Sequence, residues 1–317
     1  MDLAVASAGF VIAALAAGVM GFSIQRGATC TVAAVDEALT QRTTRRLAAL
    51  VEASLWVAAG LVVAAQFHWL PPPSGYALNG WTIAGAILLG LGAFVNRACV
   101  FGAIARLGSG EWAYAATPVG FFAGCLSVNM IFPVPAAPPL GEMSPVFAAT
   151  GAAWLIGAVL LWRVAASVRS SNKRALATLA PKSWSPRAAT IVIGITFLIT
   201  LVTANAWAYT DVLAELARGM AHSVAARALL AVALLVGACV GGWSAGLFRA
   251  RPASAAQWAR CFGGGVLMGW GSLLIPGGND GLILVGMPLL WPYAWAAFAT
   301  MCVTIAAAQL LQPFKDY

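Results

Sequence analysis

Charge is what this chain has least of. Only 9% of its 317 residues are Asp, Glu, Lys or Arg, against about 25% in a soluble domain. The deficit runs along the whole length, which excludes an ordinary water-soluble globule. Histidine is nearly absent, and neither His68 nor His222 stands at ligand spacing from a cysteine. No metal site and no cofactor are therefore expected. The six cysteines contain no Cys-x-x-Cys pair, which removes the usual redox motif. No GxxxxGK stretch occurs, so ATP does not drive this chain directly. Alternating segments of about ten residues, the mark of a membrane barrel, are missing too. No basic stretch precedes the first apolar run, which extends from Asp2 to Ile24, so a retained first span is expected rather than a cleaved signal.

Apolar sequence is what the chain does have. It is 61% hydrophobic, with a mean hydropathy of +0.86. A membrane span needs about 20 apolar residues, and nine stretches qualify, at roughly 3–25, 47–67, 81–101, 112–132, 146–166, 188–208, 223–248, 260–281 and 286–312. The expected fold is all-α: a polytopic integral membrane protein of about nine transmembrane helices, some short or broken at glycine. Pro- and Gly-rich runs at 71–80 and 133–145 and a polar stretch at 169–186 separate the spans.

Basic residues then orient the helices. The first, third, fifth and seventh connections and the C-terminus carry 16 Lys and Arg, and the other side only Arg218 and Arg227. This places the N-terminus outside and the C-terminus inside, in a bacterial inner membrane. The net charge of +8 lies in connections between apolar runs and signals the lipid surface rather than nucleic acid.

A shift of 179 residues lays 85–104 onto 264–283. Gly85, Leu88, Gly90, Gly92, Gly102 and Ile104 meet identical residues, and Trp112 and Tyr114 meet Trp291 and Tyr293. With the charge count, one copy runs inward and the other outward. Inverted repeats of this kind form substrate sites at their interface near the bilayer midplane. The chain reads as a single transport domain, 1–317, with one half at about 1–132 and the other at about 223–317. Spans and a basic cytoplasmic loop at about 163–187 connect them.

Candidate site residues lie in two stretches. GFSIQRGATC carries Gln25, Arg26 and Cys30, and LLGLGAFVNRACVFG carries Asn96, Arg97 and Cys99. A cation at membrane depth is costly enough to imply an anionic partner. The repeat sets Cys99 opposite Gly278, inside Pro276-Gly277-Gly278-Asn279-Asp280. A helix broken at such points frees backbone amides, and the half-helix that follows aims its positive end at the break. Gly277, Gly278 and Asn279 are then anion donors, Gln25 and Asn96 add neutral ones, and Arg26 and Arg97 raise the local anion concentration. A thiol is a weak donor and suits a soft sulfur atom better than a hard oxyanion. A small sulfur-containing anion is the expected cargo.

These residues resemble the YeeE/YedE family of sulfur-compound transporters. GFSIQRGATC, NRACVFG followed by RLGSGEW, and the late RCFGGGVLMGWGSLL run carry the resemblance over most of the chain. It implies thiosulfate import through an hourglass-shaped helical protein with three cysteines along its path. Cys30 and Cys99 match the first two. The third falls at Gly278, where this chain has no thiol. A cytoplasmic sulfur-carrier protein is a candidate partner of such an importer.

Blander assignments stand beside these. Cys125, Cys239, Cys261 and Cys302 lack the glycine and arginine context and read as packing residues. Arg97 equally reads as a side chain snorkelling from a span end, and Glu52 as one that snorkels or pairs with a nearby arginine. Two other functions compete with the permease: a membrane thiol-redox or persulfide-transfer enzyme, and an accessory subunit without transport of its own. The charge asymmetry yields a direct test of topology. Reporters fused at Lys173 and at Ser74 should lie on opposite faces of the membrane, and finding both on one face would refute the orientation.

Overall fold

The computed structural model describes residues 7–70, 73–132, 138–148, 151–170, 183–204, 208–219, 224–275 and 281–312. Regular structure among these is entirely helical. The helices are α1 (Ala8–Gly27), α2 (Thr31–Thr40), α3 (Arg45–Gln66), α4 (Gly80–Asn96), α5 (Val100–Gly108), α6 (Ala116–Ile131), α7 (Pro145–Ala148) and α8 (Ala152–Ser170). They continue with α9 (Pro186–Ala204), α10 (Tyr209–Ala217), α11 (Val224–Ser244), α12 (Ala255–Leu274) and α13 (Pro292–Leu311). A 3-10 turn at Trp112–Ala115 leads into α6, and a π-helical turn at Leu282–Gly286 follows α12.

Local chemistry sets several of the starts. Asn79 accepts from the Thr82 amide at 2.9 Å and caps α4. Ser254 and Gln257 exchange hydrogen bonds in a capping box at the head of α12, which satisfies donors that the first helical turn leaves open. Pro292 opens α13, at a position where a missing N–H costs nothing.

Seven stretches of the described residues are long and apolar enough to cross a bilayer: Ala8–Thr40, Arg45–Gln66, Gly80–Gly108, Trp112–Ile131, Pro186–Ala204, Ala225–Ser244 and Pro292–Leu311. The protein is thus an all-α polytopic membrane protein. The expected spans at 146–166 and 260–281 are not among the seven, for different reasons. In α8 the described side chains form an apolar stretch at Trp154–Arg163, and those of 152, 153, 164 and 166–170 lie outside the described ones. In α12, Gln257, Arg260 and a run of glycines dilute the hydropathy. That helix packs against both α4 and α6, so protein rather than lipid covers much of its surface.

Glycine makes those contacts possible. Where α4 and α12 cross antiparallel, a Cβ on Gly92 would lie 2.7 Å from the Gly264 carbonyl oxygen, and one on Gly271 2.5 Å from that of Gly85. The 179-residue shift carries Gly85 to Gly264 and Gly92 to Gly271, so it exchanges the two contacts. On the other side of α12, Gly265 and Gly269 interleave with Gly120 and Gly124 of α6, each pressing on a carbonyl of its partner. Small residues four apart let backbones approach where no hydrophobic force separates helix from lipid. Elsewhere α1 packs on α9 and α11, α3 on α9, and α13 on α4 and α2.

The buried carboxylates Glu52 and Glu37 are both paired. Glu52 of α3 is 7% exposed and accepts from Arg163 Nε at 3.1 Å and Arg187 Nε at 2.8 Å. It pins α8 and α9 to α3, in line with the pairing expected of it. Glu37 at the end of α2 does the same for the start of α3, accepting from Thr43 Oγ1 at 2.7 Å and from the Arg46 amide at 3.3 Å.

The α6–α12 crossing supplies a stability test. Gly124→Val forces a side chain onto the Val266 carbonyl, 2.3 Å from the Cβ position, and overpacking of this sort costs about 1–3 kcal/mol. Nothing lies within 4 Å of a Cβ on Gly263 of α12, so Gly263→Ala should be neutral or stabilising by up to about 1 kcal/mol. Thermal unfolding of both variants in detergent checks the contrast.

Candidate functional site

Two long helices break in the same way, 69 residues apart. After Gly27, α1 ends with Ala28 in the left-handed region (φ 46), and after Asn96, α4 ends with Arg97 there (φ 59). The Thr29 amide closes the first turn on the Ile24 carbonyl at 3.3 Å, and the Ala98 amide closes the second on the Ala93 carbonyl at 3.1 Å. This is the common C-terminal lock of a helix, normally built around glycine. Holding non-glycine residues in it costs about 1–2 kcal/mol each. One residue later the chain turns extended at Cys30 and at Cys99, and the short helices α2 and α5 begin.

Both cysteines occupy the position that normally caps a helix, yet neither thiol caps its own helix. Each serves the other break. The Cys99 amide donates to Cys30 Sγ at 3.3 Å, and the Thr31 amide donates to Cys99 Sγ at 3.4 Å. The heads of α2 and α5 therefore meet across a pair of thiols. Helix starts carry open amides and partial positive charge, so two such ends now face one sulfur-lined point. Gly102, in the first turn of α5, leaves room for it, because a Cβ there would lie 2.6 Å from Cys30 Sγ.

Asn96 fixes the second break. It is fully buried, its Nδ2 donates to the Ala98 carbonyl at 2.8 Å, and its Oδ1 accepts from Thr117 Oγ1 at 3.0 Å. Those bonds make Asn96 a brace between α4 and α6. Thr117 gave no signal in the sequence. Gln25 and Arg26 occupy the last turn of α1 and face away from the thiols. Gln25 Nε2 donates to Ser109 Oγ at 3.2 Å, at the far end of α5, about 15 Å of helical rise from Cys99. Arg26 is buried, with Nη2 donating to Ser244 Oγ at 2.9 Å and its guanidinium 5.0 Å from the Phe22 ring centroid. Arg97 is half-buried at the break itself. Gly277, Gly278 and Asn279 lie outside the described residues. α12 ends before them at Leu274, and Gly281 after them caps the π-helical turn Leu282–Gly286.

A third short helix joins the cluster. Tyr209, the first residue of α10, is buried and donates from its hydroxyl to the Val100 carbonyl at 2.9 Å, next to Cys99. Ala208 caps α10 and brings no thiol. Met20, Phe101, Phe197, Ala208, Tyr209, Leu234 and Leu284 line an apolar pocket there. Cys30 lines another small pocket with Thr29, Arg46 and Thr190, in which the Thr29 hydroxyl has no hydrogen-bond partner among the described residues. Sequence reading missed α2 and α10 as helices that begin at breaks. The likeness of Ala28-Thr29-Cys30 to Arg97-Ala98-Cys99 was the available signal for α2.

No hydrogen bond joins the other cysteines to the pair among the described residues, although Cys261 shares a hydrophobic cluster with Cys30. Cys125 reaches the Gly269 carbonyl at 3.8 Å and serves the α6–α12 contact, Cys261 is fully buried in α12, and Cys239 and Cys302 are half-buried on α11 and α13.

Two substitutions read the geometry directly. Gly102→Ala should rotate the Cys30 thiol off the Cys99 amide and change its alkylation rate by maleimide, with the rate at Cys239 unchanged. Asn96→Ala strands the Ala98 carbonyl and the Thr117 hydroxyl, at about 1–3 kcal/mol, and thermal unfolding reads that loss.

A family model for sulphur transport matches residues 26–307 of the chain. No curated protein matches it.

Proposed function

The chain belongs to the YeeE/YedE sulphur transport family, and on that premise we propose that it is a permease importing a small sulfur-containing anion, thiosulfate or a close relative, past Cys30 and Cys99. The observation that carries this reading is the exchange of caps between the two broken helices, Cys99 N–H to Cys30 Sγ and Thr31 N–H to Cys99 Sγ. Bonds from amides to sulfur are weak, so an arriving anion takes those amides at small cost. Its oxygens gain two helix-start donors, while its soft sulfur stays against the displaced thiols. Weak, replaceable contacts favour passage over trapping. The thiols act protonated, since a thiolate would repel the cargo.

In this reading the halves form an inverted repeat that extends the second half back to α9. The pairs α1–α11 and α9–α3 then exchange, as do α6–α12 and α13–α4, and these contacts support it. Gly278 stands for Cys99 in the exchange, and its amide, with Asn279, takes the role of the missing thiol. The termini lie outside and inside as the basic residues indicate, in the inner membrane of a bacterium. A cytoplasmic sulfur-carrier protein receives the cargo. The protein is a carrier rather than an enzyme.

The closeness of the thiols favours one further reading, persulfide transfer. There the outer sulfur of thiosulfate passes to a cysteine thiol, giving a persulfide and releasing sulfite. Uptake of radiolabelled thiosulfate into vesicles separates the two. Cys30→Ala and Cys99→Ala should each lower uptake tenfold or more, equivalent to about 1.4 kcal/mol, and Gly278→Cys should shift preference toward thiosulfate. Normal uptake in both alanine variants would make the thiols packing residues, and sulfite released without net uptake would establish the enzyme.

A further inference from the structure

We infer that Cys30 and Cys99 together form a two-point binding site for trivalent organoarsenicals, compounds in which one arsenic atom bonds two thiols at once. The inference rests on the placement of the thiols and not on the identity of the cargo. Each sulfur accepts from the backbone at the other's helix start, at 3.3 and 3.4 Å, so two helix heads hold both sulfurs at one point although they are 69 residues apart. Both thiols are free. The other four cysteines stand on α6, α11, α12 and α13, and no hydrogen bond joins any two of them among the described residues.

Access is present as well. Gly102 has no side chain, so Cys30 Sγ lies directly against the first turn of α5, where a Cβ would come within 2.6 Å of it. Cys30 also forms part of the wall of the pocket bounded by Gly27, Thr29, Arg46 and Thr190, so an arsenical that enters there meets a first nucleophilic sulfur. Cys99 is 5% exposed and lies behind it.

The chemistry needs no oxidant. An aryl arsenoxide reacts with two thiols to give a dithioarsenite and one water. Two As–S bonds form, the As–O bond and both S–H bonds break, and the oxygen leaves with the two thiol protons. Arsenic remains trivalent throughout. Once Cys30 has bonded, closure on Cys99 is intramolecular, and linking two contacts in this way raises retention by about 10²–10⁴ over one contact. A lone cysteine would instead surrender the arsenical to any monothiol in excess.

The test uses phenylarsine oxide on the full-length protein in detergent, challenged with excess glutathione and read by intact mass and peptide mapping. Wild type should keep one phenylarsenic per chain, bridging the peptides that carry Cys30 and Cys99, and should release it to a dithiol such as 2,3-dimercaptopropanol. Cys30→Ser and Cys99→Ser should each lose the label at glutathione concentrations about a hundredfold lower. A bridge mapped to other cysteines, or wild-type label lost as readily as that of the single variants, would overturn the inference. The map on wild type does not depend on either variant folding. A failure of thiosulfate uptake would leave this result standing, and the converse also holds.

Discussion

Two cysteines that cap each other's helices are the constraint on which the rest of this structure depends. A helix that stops inside a membrane leaves amides and carbonyls with no water to satisfy them, and each costs several kcal/mol if left bare. α1 and α4 both stop within stretches long and apolar enough to cross a bilayer, Ala8–Thr40 and Gly80–Gly108. Their carbonyl ends are closed by turns through Ala28 and Arg97, and the amide ends of α2 and α5 are closed in part by sulfur. Sulfur is a poor partner compared with the oxygen of Ser or Asp, the usual caps. The site therefore keeps donors that are occupied but only lightly held, which is the condition an anion needs in order to bind briefly and leave.

Such a junction must be held from outside, because the junction itself is weak. Glycine does this by allowing α12 to lie directly on α4 and α6, with carbonyls where side chains would otherwise be. Asn96 and Thr117 extend the same rigidity to the Cys99 break, and Tyr209 ties α10 to the first turn of α5. Farther out, Glu52 anchors α8 and α9 through two arginines, and Glu37 anchors α2 to α3. The polar groups nearest the thiols are mostly spent on bracing. The open capacity is concentrated where the helix heads meet.

Much of this was legible in the sequence, and the omissions have physical causes. The membrane class followed from the scarcity of charge, and the glycines matched by the 179-residue shift, Gly85 with Gly264 and Gly92 with Gly271, are the ones that touch at the α4–α12 crossing. Cys30 and Cys99 stood out by their context and do meet. The short helices α2 and α10 were invisible because hydropathy averages over about 20 residues, longer than either. Asn96 and Gln25 read as donors to a ligand, and the partners they also hold, Ala98, Thr117 and Ser109, gave no sign in the sequence. α12 read as an ordinary span, although its glycines and Arg260 fit it for a position inside protein.

The central claim is that both thiols face the transported anion at one point, and protection from alkylation tests it most directly. Membrane vesicles holding the wild-type protein would be treated with N-ethylmaleimide with and without thiosulfate, and the rate at each cysteine followed by peptide mapping. The predicted result is that thiosulfate slows Cys30 and Cys99 together over the same concentration range while Cys239 and Cys302 react at unchanged rates. Rates at Cys30 and Cys99 that ignore saturating thiosulfate, or that respond equally to chloride, would contradict it.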